Sequence, residues 1–288
     1  MENHYTQTIG VLVDSYPKLT PELQKAAKFI LNHPEDVGLN SLRKIAGQAG
    51  VKPATISRLS KALGYEAYEQ LREPFRQRLR KSGPGFAARL QDLQRRGVTD
   101  THALYEESRT RELGNIAATL SDDQFSVFEE AVETLWTSRR VYVLGLRGAY
   151  APAFLFHYTH QLFHDKCQML DTRAGVFADQ LRGLNEQDAL LVVSFPPYTQ
   201  LTIDAVDYAA ESGVQIVAIT DSVLSPAAHS AKHTIVTSNE SSSFYHSFIG
   251  ALAACQTLIT LLVAKSGQDS VEIVKEAEKQ LSRISAYW

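Results

Sequence analysis

The sequence predicts two units of different class: an all-α N-terminal unit, then an α/β three-layer sandwich around a five-stranded parallel sheet. Three observations carry this reading. Over residues 20–64, apolar residues recur at helical spacing in short runs closed by glycine or proline. From residue 140 the pattern changes to near-continuous apolar, β-branched runs separated by helical segments, the mark of parallel strands covered on both faces. The charge divides as well. Residues 1–96 hold 16 Lys+Arg against 9 Asp+Glu, whereas residues 97–288 hold 13 against 23, although the whole chain carries only −3. A basic end on an acidic body points to a polyanion as partner of the first part.

Composition sets the outer limits. At 288 residues, 44% hydrophobic and 21% charged, without low-complexity tracts, the chain is globular and long enough for two domains. Cys167 and Cys255 are too few and too distant for a disulfide framework or a thiolate zinc site, and read as reduced, buried thiols. The start, "MENHYTQTIG", lacks the basic and apolar regions of a signal peptide. Residues 248–264 carry no formal charge, but they are short for a span and contain Gln256, Thr257 and Thr260. We read them as a buried or interface helix, and the chain as a soluble cytoplasmic protein without a membrane partner.

The N-terminal elements follow in order. "TPELQKAAKFIL" begins with Thr20 as N-cap and Pro21 in the first turn, and Leu23, Ala26, Ala27, Ile30 and Leu31 share one face. His33-Pro34 ends it, because the residue before proline avoids helical angles. A short helix over about 41–48 turns Leu42, Ile45 and Ala46 inward, and Gly50 closes it. A second begins at Pro53, with Ile56, Leu59 and Leu63 as its apolar stripe and Gly64 at its end. Short helix, glycine turn, short helix is the helix-turn-helix pattern, whose second helix enters the DNA major groove. Its polar face offers Lys52, Pro53, Ala54, Thr55, Ser57, Arg58 and Lys61 to phosphates and base edges. No acid occurs from residue 37 to 65.

These residues also carry a family resemblance. The opening Leu19-Thr20, the Ile-Leu-x-x-Pro step, "ATISR" and the closing "LGY..Y..LR" resemble the DNA-binding domain of RpiR-type bacterial transcriptional regulators over about residues 15–80. Lys52 departs from that pattern, standing where the family usually places a capping serine. We place the DNA-binding domain at 1–80 and a linker at 81–100. "SGPG" (82–85) breaks the helical pattern, and "FAARLQDLQRR" (86–96) forms a short amphipathic helix. Residues 101–288 form the second domain.

In that domain, strands are expected at "RVYVLGL" (140–146), "CQMLD" (167–171), "DALLVVSF" (188–195), "VQIVAIT" (214–220) and "HTIVTS" (233–238). Helices at about 102–120 and 122–137 precede the sheet, and helices at about 243–265 and 269–286 follow it. The succession "GLRGAYAPA", "SFPPYT", "AITDSVLSPAAHSA" resembles the SIS domain, the sugar-isomerase fold that RpiR-type regulators carry, over about residues 125–265.

The resemblance implies a ligand site in the loops leaving the strands, and both loops are altered here. Where phosphosugar-binding SIS domains carry Ser-x-Ser-Gly-x-Thr, this chain has Ser194, Phe195, Pro196, Pro197, Tyr198 and Thr199, so two backbone donors and a hydroxyl are lost. In the other loop Ala149 replaces a usual serine. Arg147 remains to hold an anion, with Ser194, Tyr198, Thr199, Thr202 and the hydroxyls of Ser241, Ser242 and Ser243 around it. Three readings stay open: a small anion such as a carboxylate held by Arg147, a phosphosugar held by the remaining groups, or a domain that only dimerises.

Two other features look chemical. His157, His160 and His164 follow i, i+3, i+7 spacing, which metal sites use, but with Tyr158, Leu162 and Phe163 around them they read as satisfied histidines of a packed helix, with Asp165 the residue to watch. Glu240 and His246 supply bases near the expected cleft, as an aldose–ketose isomerase would need. With the phosphate cradle altered, we read no catalysis, no metal and no cofactor. The expected function is a transcriptional regulator that binds double-stranded operator DNA as a homodimer or homotetramer and senses a small anionic metabolite; the alternatives are a sugar-phosphate isomerase and a ligand-free dimerising regulator.

Overall fold

The computed structural model describes residues 4–81 and 86–286, and divides into two compact units, 1–89 and 90–288. The "SGPG" break lies outside the described residues.

In the first unit, α1 (His4–Ser15), α2 (Pro21–Asn32), α3 (Pro34–Leu39), α4 (Leu42–Gln48), α5 (Pro53–Ala62) and α6 (Tyr68–Lys81) surround one core. The paired short helices and their glycine turns form as expected. Gly50 and Gly64 both adopt left-handed angles, at φ 63° and 88°. Each is followed by a six-residue closing bond, Val51 N–H to Ala46 O at 2.9 Å and Tyr65 N–H to Ser60 O at 2.9 Å, which satisfies carbonyls at the helix end. Lys25 of α2 donates to Gly50 O at 3.0 Å and so fixes the turn from outside. Ile30, Ile45, Ile56, Leu59, Leu71 and Phe75 are fully or almost fully buried.

Three points differ from expectation. The chain resumes helix directly after His33, because Pro34 suits a first helical turn as well as it ends the preceding helix. Helix α1 was not foreseen; its Tyr5 ring meets Phe75 edge-on at 5.3 Å, and Thr8 bonds the Tyr65 hydroxyl at 2.6 Å. Thr20 stands at the N-cap of α2, but its side chain makes no capping bond.

Helix α7 (Phe86–Thr99) occupies most of the expected linker, and the boundary between units falls inside it. In the second unit, α8 (Thr101–Thr119) and α9 (Phe125–Thr137) lead to β1 (Val141–Gly145), α10 (Tyr150–Gln161), β2 (Cys167–Leu170), the short α11 (Phe177–Gln180), β3 (Ala189–Ser194), α12 (Gln200–Glu211), β4 (Gln215–Thr220), β5 (His233–Val236), α13 (Ile249–Lys265) and α14 (Gln268–Arg283). All strand pairs are parallel, in the order β2-β1-β3-β4-β5. Alternation along the strands sends Val141, Val143, Leu191, Val193, Val217 and Ile219 to one face, under α9, α10 and α13. Tyr142, Leu144, Leu190, Val192, Ile216 and Ala218 go to the other, under α11 and α12. The predicted three layers are present. The helix expected from residue 243 begins only at Ile249, so Ser241, Ser242 and Ser243 stand in a loop.

Gln124 finishes the sheet edge. Its amide accepts from Val236 N–H at 2.8 Å and donates to Val236 O at 2.5 Å, replacing a neighbouring strand. Gln124→Ala leaves both groups unpaired beside α9 and is expected to cost about 1–3 kcal/mol in urea unfolding; an unchanged midpoint would show that water substitutes fully.

Candidate DNA-binding helix and ligand cleft

Helix α5 presents Lys52, Pro53, Ala54, Arg58 and Lys61 to solvent, with Ser57 half-buried. Thr55 is a correction. It is only 2% exposed and turns into the core beside Ile56, with the Arg58 guanidinium 3.5 Å from its hydroxyl. Its position follows from geometry: Thr55, Ile56, Leu59 and Ser60 make the buried stripe, and Ser60 spends its hydroxyl on Ile56 O at 3.0 Å. Lys52 occupies the N-cap without a side-chain capping bond; Pro53 has no N–H and Thr55 N–H already donates to Lys52 O at 2.8 Å, so the Ala54 amide is the one a cap would have met. Exposed Arg43 and Lys44 on α4 add positive charge to the same motif, within the stretch from residue 37 to 65 that contains no acid.

In the second unit, the expected cleft lies at the carboxyl ends of the strands. The strand order reverses between β1 and β3, and in open parallel sheets ligands bind at such a switch point. The loop after β1 turns very tightly: a Cβ on Gly145 would lie 2.3 Å from Ala149 O, and one on Gly148 would lie 2.7 Å from the Phe248 ring. Arg147 holds a left-handed φ of 56°, a conformation that costs a non-glycine residue on the order of 1 kcal/mol. Its side chain is exposed and, among the described residues, has no ion-pair or hydrogen-bond partner.

The loop after β3 is less free than its sequence suggests. Ser194 is 3% exposed and Thr202 1%, so both hydroxyls are withdrawn from the surface. The Tyr198 hydroxyl donates to Asp221 at 2.8 Å, and Thr220 also donates to that carboxylate, at 3.2 Å. A carboxylate therefore stands at the end of β4, and Tyr198 is tied to it. Thr199 is the N-cap of α12, without a capping bond of its own. In the serine loop, Ser243 N–H donates to the Ser241 hydroxyl at 3.0 Å. Asp171, at the end of β2, is held below the usual carboxylate range by its bond to Arg173.

The histidines depart from expectation. Only His157 and His160 lie on α10; His164 follows its end. His160 is fully buried among Phe156, Phe163 and His164, and neither ring nitrogen has a partner, so it is not a satisfied histidine. Among the described residues no His, Cys, Asp and Glu side chains gather in a set able to hold a metal ion. Asp165 is almost wholly exposed and pairs with His164 at 3.4 Å. No single helix among the described residues is long and apolar enough to cross a membrane.

Comparison with known proteins matches both units. A family model described as the helix-turn-helix domain of the rpiR family matches residues 7–82, and the SIS domain model matches residues 134–261. An uncharacterized HTH-type transcriptional regulator from Haemophilus influenzae is 22% identical over 278 residues, covering 93% of each chain. The sugar isomerase domain of an RpiR transcription factor from Sphaerobacter thermophilus matches with TM-score 0.57 and 25% identity, over 60% of this chain and 97% of that one. The Vibrio vulnificus NanR protein, solved as a complex with ManNAc-6P, matches with TM-score 0.55 and 17% identity, over 96% and 98%.

Burial pushes the His160 imidazole down to about 4. A depressed value in the folded state means that the unfolded chain takes up the proton first. Stability is therefore complete above about pH 6.5 and falls as pH drops toward 4, by up to about 3 kcal/mol. Urea unfolding at pH 7.5 and pH 5 should show a smaller acid loss for His160→Leu than for the wild type; equal losses would remove His160 as the cause.

Proposed function

The chain belongs to the RpiR-type regulators, joining that family's helix-turn-helix domain to a SIS domain, and from that premise we propose that it is a cytoplasmic, homo-oligomeric DNA-binding protein controlled by a small anionic sugar derivative. The observation that carries the ligand reading is Arg147: an exposed guanidinium without a partner among the described residues, held in a strained backbone conformation at the switch point. An arginine so placed offers a two-pronged contact to phosphate or carboxylate.

The altered loop assigns the work differently from the usual SIS cradle. Pro196 and Pro197 have no N–H to offer, and Tyr198 is engaged with Asp221. The anion therefore sits toward Arg147, and Asp221 is left to accept ligand hydroxyls. A phosphosugar fits both halves of this description: an anion at one end, hydroxyls at the other. The NanR protein binds ManNAc-6P on the same fold, which supports that class ahead of simple carboxylates.

On the DNA side, the exposed Lys52 at the N-terminus of α5 meets phosphate, while Ala54, Ser57, Arg58 and Lys61 face the groove. One such helix reads few base pairs, so tight binding needs two copies on spaced half-sites. The function is regulation, not catalysis.

Two measurements test this. In a thermal-shift panel of phosphosugars and small carboxylates with the full chain, a phosphosugar is expected to raise the midpoint, and Arg147→Ala is expected to abolish the rise; a ligand held 100-fold above its Kd stabilises by about 2.7 kcal/mol. A rise that persists in Arg147→Ala places the anion elsewhere. Arg58→Ala should weaken DNA binding roughly fivefold or more, by about 1–3 kcal/mol, without changing the ligand-induced shift; unaltered DNA affinity would exclude α5 as the reading helix.

A further inference from the structure

The loop from Ser238 to Phe248 touches both proposed ligand loops at one end and α8 at the other. The Phe248 ring meets Phe195 of the β3 loop edge-on at 5.6 Å and closes over Gly148 of the β1 loop, where a Cβ would lie 2.7 Å from it. Tyr245 packs beside Phe248, at 6.1 Å between ring centres, and also crowds Gly148. Phe248 therefore touches both the β1 loop, at Gly148, and the β3 loop, at Phe195.

At the other end stands Asn115 of α8, 1% exposed. Its Nδ2 donates to Glu240 O at 2.7 Å and to Glu112 Oε2 at 3.0 Å, and its Oδ1 accepts from the Ser238 hydroxyl at 2.7 Å. The Ser247 hydroxyl donates to Glu112, and Ser238 N–H donates to the Thr119 hydroxyl at 3.3 Å. Glu112, Asn115 and Thr119 follow i, i+3, i+7 spacing, so one face of α8 binds the loop at several points. The approach is close: a Cβ on Gly250 would lie 2.6 Å from Ser238 O and 2.7 Å from the Thr119 hydroxyl. Outward from there, Arg111 pairs with Glu240 at 3.3 Å and with Glu107, and Glu107 pairs with Arg96 of α7, the helix that continues from the N-terminal unit.

We propose that the 238–248 loop is the element through which the cleft acts on α8, and that Asn115 is the positioning residue that makes the connection. A ligand entering between the β1 and β3 loops displaces Phe248, and the buried bonds of Asn115 oblige α8 to follow. The exposed ion pairs to Arg111 and Arg96 are individually weak, and they steer more than they hold. A buried amide with its donors and acceptor engaged is different, since the loop cannot shift without stranding polar groups or moving the helix.

The proposal rests on the cleft being the ligand site, and its test is built without a ligand. Gly148→Ala crowds Phe248 from inside the cleft, as an occupant would. In hydrogen exchange of the full chain, this variant is expected to speed exchange roughly fivefold or more both in 238–248 and in residues 112–119. In the Gly148→Ala/Asn115→Ala double variant the loop should still respond, while α8 should show no increment beyond that of Asn115→Ala alone. A merely structural role for Asn115 gives additive increments instead. Phe248→Leu, which shrinks the ring, provides the same comparison if Gly148→Ala fails to fold. No response on α8, or an equal response with and without Asn115, overturns the proposal. A ligand panel without any thermal shift would remove the ligand reading alone, because the exchange pattern judges the connection by itself.

Discussion

The close approach of backbone at the end of β1 is the constraint on which the ligand half of this protein depends. Gly145 and Gly148 leave no room for a Cβ, one against Ala149 O and the other against the Phe248 ring. Because of the first, the chain turns at once from strand into α10, and Arg147 emerges at the switch point of the sheet. Because of the second, the loop before α13 lies directly on that turn. Cleft, arginine and the loop that leads to α8 are thus consequences of two missing side chains. The sheet beneath, buried on both faces, supplies the rigidity that keeps these approaches in register.

The N-terminal unit solves a different problem with similar means. Its α4 and α5 are too short to be stable alone, and their geometry comes from glycine-closed ends and a shared core of Ile45, Ile56 and Leu59. Burial of one stripe fixes which residues remain for DNA. It withdraws Thr55 and leaves Arg58 and Lys61 outside. Under the proposed function, specificity falls to a few side chains of this helix, and affinity to the charge around them.

Much of this was legible in the sequence, and the losses have physical reasons. Each strand was found where apolar β-branched runs stood, because burial on both faces leaves little freedom in composition. The glycines marked both helix ends correctly. What failed depended on three-dimensional partners. Thr55 looked like a surface hydroxyl, and only the packing of α5 against the other helices of its unit shows that it is covered. The start of α13 was placed about six residues early, because bonds that the sequence does not show hold the preceding loop: Ser247 donates to Glu112 of α8, and Ser243 N–H to the Ser241 hydroxyl. Tyr198 read as a free donor until Asp221, 23 residues on, proved to hold it. The Asn115 network could not be read at all, since it joins residues more than 120 positions apart.

The central claim is that occupancy of the cleft changes DNA binding. Fluorescence anisotropy of the full chain on a labelled fragment of the DNA upstream of its own gene, with and without the phosphosugar that gives the largest thermal shift, tests it most directly. The account predicts a change in Kd of about fivefold or more, corresponding to about 1 kcal/mol or more of coupling. An unchanged Kd at saturating ligand would contradict it, leaving a DNA-binding protein whose second domain binds a ligand without consequence for the first.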